Sequence, residues 1–187
     1  MLAVALPAVA ALPGWWRALP SQPALAARFT QTSDSAVFGS LQEKGTLLLE
    51  RGGRLRVAYD SGLLVVADGR QLVQYDPDTR TAQSVTLQDA LKEYPLLGLL
   101  LEPRRLDLLY RAEALPGETV LLHPRVPGLP EVKAAGRHGL LASVAWTDGT
   151  GARQRLVLEQ AHVPPPPRPG TFHFNPPPGT RWATPPQ

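Results

Sequence analysis

The histidines, the paired carboxylates and the glycine clusters are the parts of this sequence that could do chemistry. The four histidines are far apart, and no two have the i, i+2 or i, i+4 spacing that places metal ligands side by side. They are His123, His138, His162 and His173. Asp76 and Asp78 flank a proline, which is typical of a solvated turn. No Gly-x-Ser-x-Gly elbow and no phosphate-binding glycine loop occurs, so the sequence predicts no catalytic residue, no metal site and no cofactor.

Composition and charge exclude further classes of site. The chain has 187 residues, 43% hydrophobic and 19% charged, which favours one globular domain, and we expect a monomer. The net charge of +3 comes mostly from arginines spread among acidic residues, and without a basic run no nucleic-acid surface is predicted. The absence of cysteine excludes disulfides, zinc thiolate sites, a cysteine nucleophile and a lipid-anchored cysteine.

The first 24 residues indicate a signal remnant, an N-terminal helix, or both, ahead of a single domain over residues 25–187. The apolar run MLAVALPAVAALPGWW has the Ala-x-Ala pattern of a secretory cleavage site at Ala8 and Ala10, but no basic residue precedes it. The run is too short for a membrane span. Apolar residues at mixed helical spacing between Trp15 and Phe29 predict one or two short helices.

Period-two alternation and turn residues predict an antiparallel sheet for most of the chain. Between residues 28 and 77 the turns Gly52-Gly53, Asp60-Ser61-Gly62 and Asp68-Gly69 separate apolar runs, and such short loops join only antiparallel strands. Further strands are predicted at Leu106–Tyr110, Thr119–His123, Glu131–Ala135, Leu140–Thr147, Gln154–Gln160 and Thr171–Phe174. Residues 148–151 form a hairpin turn, and residues 164–169 form a proline-rich linker or, alternatively, a proline-recognition segment.

A helical insertion over residues 86–102 interrupts the strands. Thr86 and Asp89 resemble a helix-capping pair, and Pro95 suits the first turn of a second helix. That second helix, Leu96–Leu101, is apolar on every side, so it must be enclosed or must face an apolar cavity. A lid over a cavity and a plain core helix have the same pattern, and both remain open at this point. The fold class predicted is α+β, an incomplete antiparallel β-barrel with an apolar cavity under a helical lid.

Arg51 ends an apolar row of the predicted sheet. Leu47 and Leu49 share its face, and Leu55, Val57 and Tyr59 form the facing row across the Gly-Gly turn. An arginine at a strand end can lay its stem on an apolar face with its charge in water. Alternatively, its guanidinium finds oxygen acceptors on whatever covers that face.

Several sequence blocks, in order from Phe29 to Gly179, resemble the LolA family of periplasmic carriers that move lipoproteins to the outer membrane. The patterns are Phe-x-Gln, Gly-x-Leu-x-x-x-Arg, Asp-Gly-x-x-Leu-x-x-Tyr-x-Pro and Phe-x-Phe-x-Pro-Pro-x-Gly. They lie at Phe29–Gln31, Gly45–Arg51 followed by Leu55–Tyr59, Val66–Gly69 with Leu72–Pro77, and Phe172–Gly179, and Asp148-Gly149 fits the late hairpin. Two departures are Gly52, where the family has proline, and Tyr94-Pro95-Leu96 in place of the lid's Thr-Pro-Phe.

The resemblance implies an incomplete barrel that takes up lipoprotein acyl chains beneath its lid in the periplasm of a Gram-negative bacterium. It implies that Arg51 reaches backbone carbonyls of the lid and latches it, and that an inner-membrane transport complex and an outer-membrane acceptor are partners. The alternatives are a periplasmic lipid-binding protein that does not shuttle, or a carrier of other lipid-linked cargo such as a pigment precursor. An enzyme is not predicted. The cavity residues expected are Leu47, Leu49, Leu55, Val57, Tyr59, Leu91, Leu96, Leu97 and Leu100.

Overall fold

One large sheet dominates the fold. The computed structural model describes residues 11–93 and 97–183, and within them the sheet has twelve strands. Its strands are β1 (Ala24–Ser35), β2 (Gly39–Glu50), β3 (Arg54–Tyr59), β4 (Leu64–Asp68), β5 (Gln71–Asp76), β6 (Thr81–Thr86), β7 (Tyr110–Leu115), β8 (Thr119–Pro124), β9 (Val132–Arg137), β10 (Leu140–Thr147), β11 (Arg153–His162) and β12 (Arg181–Ala183).

The sheet is curved but does not close. Its order is β12-β6-β5-β4-β3-β2-β1-β11-β10-β9-β8-β7, so β12 and β7 are its two edges. All neighbouring strands are antiparallel except β12 and β6. The predicted α+β fold with an incomplete antiparallel barrel is therefore confirmed.

Short helices lie between the strands. They are α1 (Gly14–Ala18), a 3-10 helix (Leu19–Ser21), α2 (Leu87–Glu93), α3 (Leu97–Leu101), a 3-10 helix (Pro103–Arg105) and α4 (Leu106–Leu109). Thr86 and Asp89 cap α2 as predicted, because the Asp89 N–H donates to the Thr86 hydroxyl at 3.1 Å and that hydroxyl donates to the Asp89 carboxylate at 2.6 Å. No described helix is long and apolar enough to cross a membrane.

Three local predictions were wrong. Leu106–Tyr110 is not a strand; Leu106–Leu109 is helical and only Tyr110 begins β7, since a short apolar run has no periodicity to separate the two states. Residues 171–174 form turns and irregular chain, whereas the last strand is β12. The helical stretch predicted between Trp15 and Phe29 ends at Ser21, ahead of Pro23, and Phe29 lies inside β1.

The apolar core lies on the concave face of the sheet. Register pairs Leu25 with Leu49, Leu49 with Leu55, and Leu55 with Ala67, so one buried row crosses four strands. A similar row on the other half includes Leu122 opposite Val132. Both rows belong to one hydrophobic cluster, which also takes in leucines of α3 and tryptophans of α1. The helices therefore cover the concave face rather than the outer one.

Candidate functional site

Five of the predicted cavity residues meet on neighbouring positions of β2 and β3. Leu49 pairs with Leu55, and Leu47 pairs with Val57. The three leucines are buried, while Val57 and Tyr59 are partly buried against the same cluster. Alternation along each strand and the tight Gly-Gly turn give this arrangement, so the side chains share the concave face.

A glycine opposite Tyr59 makes room for an aromatic pair at the end of this face. Gly45 pairs with both Phe29 and Tyr59, and the two rings meet edge to face with their centroids 5.2 Å apart. A Cβ added at Gly45 would overlap the Phe29 ring and the Ala58 carbonyl oxygen. The glycine of the Gly-x-Leu-x-x-x-Arg block is thus required by close approach. Burial, and then the charge of Glu43, raise the pKa of Tyr59.

Leucines of the insertion cover this face. Leu91, Leu97 and Leu100 are partly buried against the hydrophobic cluster, and α3 contacts β2. The most buried leucines of α3 are Leu99 and Leu101, which were absent from the predicted site. An all-leucine run lacks the polar positions that would show which side faces inward. The predicted Leu96 lies outside the described residues.

The start of the insertion is anchored to the turns of the sheet. The Leu87 N–H donates to the Arg70 carbonyl at 2.8 Å. Leu87 also packs over Gly53, where an added Cβ would overlap its side chain. Gly53 has φ +78°, which glycine adopts without strain, and its lack of a side chain leaves room for Leu87.

Among the residues that the structure describes, the hydrogen-bond partners of Arg51 lie in the N-terminal segment. Its guanidinium donates to the carbonyl oxygens of Leu19 and Gln22, and its backbone N–H donates to Pro23 O at 3.0 Å. The resemblance implied acceptors within residues 86–102, whereas the acceptors found in the described chain are those of residues 19–23. Burial, together with the charge of Arg104, lowers the pKa of Arg51.

The N-terminal segment links Arg51 to the end of the insertion. The 3-10 helix Leu19–Ser21 contacts the 3-10 helix Pro103–Arg105, which closely follows α3. The Glu102 N–H donates to Gly98 O at 2.9 Å. This hydrogen bond connects α3 to the 3-10 helix Pro103–Arg105 that follows it. Arg51 therefore anchors the N-terminal segment, which contacts the residues that directly follow the insertion.

Trp15 covers the other half of the concave face, which no pattern in the sequence indicated. Its ring lies directly on Gly136 of β9, where any Cβ would overlap it, and its indole N–H donates to Glu118 O at 2.8 Å. Trp16 meets it edge to face, with centroids 5.6 Å apart. A glycine within a strand marks close approach, but the sequence does not identify the approaching residue.

Tyr110 places a polar atom in the apolar interior. The residue is 2% exposed, and its hydroxyl has no hydrogen-bond partner within the described chain. Burial raises the pKa of this phenol, so it stays protonated and can donate. A buried hydroxyl without a partner is costly, and it is suited to accept from or donate to a polar group that enters the interior.

Other surface features lie away from the predicted site. One depression lies between the outer side of β3 and the C-terminal segment, lined by Arg56, Arg168 and His173 among others. A second, on the outer side of β8–β11, includes Lys133 and Arg155. No group of histidine and carboxylate side chains among residues 11–93 and 97–183 has the geometry of a metal site.

The fold and the site define a class of protein: an unclosed antiparallel barrel whose apolar concave face is covered by short helices. The sequence profile described as "Outer membrane lipoprotein carrier protein LolA" matches residues 21–175, and the chain belongs to this family. The resemblance found in the sequence blocks is confirmed.

Known proteins show how distant the relationships are. An outer-membrane lipoprotein carrier protein of Bordetella avium (strain 197N) is 28% identical over 145 residues, which span 73% of this chain and 69% of that protein. The crystal structure of an uncharacterized conserved protein from Thermus thermophilus has TM-score 0.57 at 12% identity, covering 91% of this chain and 96% of the other. A LolA superfamily protein from Nitrosomonas europaea has TM-score 0.45 at 9% identity, covering 82% and 92%. At 12% identity the Thermus thermophilus structure supports the fold alone.

Proposed function

We propose that this protein is a periplasmic carrier that holds the acyl chains of lipoproteins, or of a related lipid, against the concave face of its sheet. The observation that carries the proposal is the continuous apolar face of the sheet beneath short leucine-rich helices. Family membership supports a carrier rather than an enzyme. Transfer of the cargo from an inner-membrane transport complex to an outer-membrane acceptor belongs to the same proposal.

The packing of the helices sets how tightly cargo binds. Each methylene of an acyl chain moved from water to the apolar face contributes about 0.8 kcal/mol. Leu99 and Leu101 already occupy this face, so entering cargo must displace them and expose part of their surface. Their displacement offsets part of the binding energy and keeps the affinity moderate, as a carrier that must release its cargo requires.

Within this proposal Arg51 latches the cover through the N-terminal segment. Its hydrogen bonds to Leu19 and Gln22 fix that segment, and the segment contacts the 3-10 helix that directly follows the insertion. Opening would then move the insertion away from the 3-10 helix Leu19–Ser21. The Tyr110 hydroxyl is available inside for a polar group of the cargo, such as an ester carbonyl.

Native mass spectrometry of the protein purified from its own periplasm tests the cargo. A co-purifying lipoprotein supports the carrier, and a small lipid supports the alternative of a lipid-binding protein that does not shuttle. Protein that carries neither, and that takes up neither from detergent micelles, would overturn both. Recovery of inner-membrane transport components with the tagged protein, lost when cargo is absent, distinguishes shuttling from simple binding.

A matched pair of variants tests whether the cargo binds to the concave face. Val57→Asn puts an amide on that face at a partly buried position, whereas Ala58→Asn puts the same amide on the opposite side of β3. We expect Val57→Asn to weaken binding of a fluorescent fatty-acid probe about tenfold, because an amide among apolar side chains loses its hydration. Ala58→Asn should bind like the wild type. Equal binding by both variants would contradict the assignment of this face.

A further inference from the structure

The hairpin of β1 and β2 extends past its neighbours in the sheet. On one side β1 pairs with β11 as far as Asp34. On the other side β2 pairs with β3 only from Gly45 onward, although β2 itself begins at Gly39. Residues 39–43 therefore have no strand beside them on the β3 side within the described chain. We call residues 35–43 the hairpin tip.

Backbone groups on this free side point outward at alternate residues. The Lys44 carbonyl accepts from the Asp60 N–H at 2.8 Å, so Lys44 faces the β3 side. In an antiparallel ladder the N–H and C=O of alternate residues face the same neighbour. Ser40 and Gln42 must then direct their N–H and C=O groups away from β1 and into solvent. These groups have the spacing that a further strand would match.

Large apolar side chains lie at the same place. Val37, Phe38 and Leu41 are 81%, 91% and 62% exposed. Two of them lie in an ordered turn, since the N–H groups of Val37 and Phe38 donate to the Ser35 hydroxyl at 3.2 and 3.3 Å. The exposure of Val37 and Phe38 therefore belongs to a hydrogen-bonded turn, and that of Leu41 to β2.

The edge strand β7 is, by contrast, protected by charge. It carries Arg111 and Glu113, whose side chains are 58% and 46% exposed. Charged residues on an edge strand discourage pairing with another chain. The charged residue of the hairpin tip is Glu43, at its base. The rest of the tip carries uncharged polar and exposed apolar side chains rather than the charges found on β7.

We propose that the hairpin tip is a docking edge for an extended segment of a partner polypeptide, which adds as a strand beside Ser40 and Gln42. Main-chain hydrogen bonds give such a complex its affinity, and Phe38 and Leu41 contact alternate apolar side chains of the added segment. A lipid bilayer is a poorer occupant, because the outward N–H and C=O groups would lose water without gaining partners. The inference is independent of the cargo and goes beyond the proposed carrier function.

Selection of randomised linear nonapeptides displayed on phage tests this edge directly. Selected peptides are synthesised, and their affinity is measured for the wild type, Gln42→Pro and Gln42→Thr. Proline removes one outward N–H while leaving the β1–β2 ladder intact, and threonine keeps that N–H in a strand-forming residue. We expect Gln42→Pro to weaken binding about tenfold or more, and Gln42→Thr to bind like the wild type.

A second measurement separates strand pairing from apolar adhesion and remains decisive if Gln42→Pro folds poorly. Peptides methylated at alternate backbone nitrogens keep their side chains but lose the N–H donors along one edge. When that edge is the one that faces the hairpin tip, the peptide should fail to bind the wild type. Hydrogen exchange at the Ser40 and Gln42 amides should slow when the unmodified peptide is bound.

Four results would overturn the proposal: no selected peptide, peptides that tolerate Gln42→Pro or methylation, a dimer of this chain that Gln42→Pro dissociates, or flotation with vesicles. The flotation experiment uses vesicles of phosphatidylethanolamine and phosphatidylglycerol. Vesicle binding by the wild type that is lost in Phe38→Ser would show that the tip binds a membrane instead.

Discussion

Replacing Arg51 with leucine tests the connection between the sheet and its helical cover. The guanidinium donates to the carbonyls of Leu19 and Gln22, and these are the contacts that the substitution removes. Leucine keeps much of the apolar stem on the concave face, so the loss concerns the hydrogen bonds. The variant therefore isolates the anchoring of the N-terminal segment.

The magnitude follows from the two bonds and their exposure. A hydrogen bond that involves a charged group contributes about 1.5–3 kcal/mol when buried. Arg51 is only partly buried, and water can reach the freed carbonyls, so we expect a loss of about 2 kcal/mol in the free energy of unfolding. For a chain of this length that corresponds to a Tm lower by about 4–8 °C.

Hydrogen exchange locates the effect, and a neighbouring arginine provides the control. In Arg51→Leu, amides of residues 14–23 should exchange faster, followed by those of the 3-10 helix Pro103–Arg105, which the N-terminal segment contacts, and of α3 just before it. Arg54→Leu removes an exposed arginine from the same turn, whose guanidinium bonds to Glu50 at 3.1 Å, and should change neither region. Unchanged exchange of residues 14–23 in Arg51→Leu would refute the latch.

Three further substitutions test the packing, the cover and a turn. Gly45→Ala should destabilise the fold by about 1–3 kcal/mol in urea unfolding, because its Cβ overlaps Phe29, whereas Gly149→Ala, with open space around it, should have little effect. Gly98→Ala adds a methyl group in open space within α3 and should favour the helix by about 1 kcal/mol, so probe uptake should weaken about fivefold if this helix must unwind to admit the probe; unchanged uptake would count against unwinding of the cover. Hydrogen bonds from Thr150 and Gln154 lower the pKa of Asp148 to about 2, so its stabilisation is present above about pH 4 and is lost as the pH falls towards 2. The stability deficit of Asp148→Ala should therefore shrink over that range, and a deficit independent of pH would contradict this role.

The sheet was largely predictable because its signals are local. Alternation of apolar residues and the Gly52-Gly53 and Asp68-Gly69 turns located β2 to β5, and the Asp148–Gly151 turn located the late hairpin. Errors occurred where local signals are ambiguous. Residues 106–109 form a helix although the run suits either state, and β12 pairs in parallel with a strand distant in the chain, with Arg181 opposite Thr81.

The sequence predicted which residues share the apolar face of the sheet, but not which residues of α3 pack against that face. Parity alone placed Leu47, Leu49 and Leu55 together, and the structure brings them onto one buried face. Their role in cargo binding stays a prediction. The leucine run predicted a cover, yet it did not distinguish Leu99 and Leu101 as the residues of α3 that are most deeply buried.

By itself, the sequence determined the strands, the turns and the apolar face, because these depend on residue types a few positions apart. It also marked Arg51 as an arginine that completes an apolar row. Only the tertiary structure decided that Arg51 binds the N-terminal segment, and that Trp15 lies on Gly136 and donates to a carbonyl 103 residues away. The physical reason is that curvature of the sheet brings distant segments into contact, and the choice among possible partners depends on packing that no local pattern encodes.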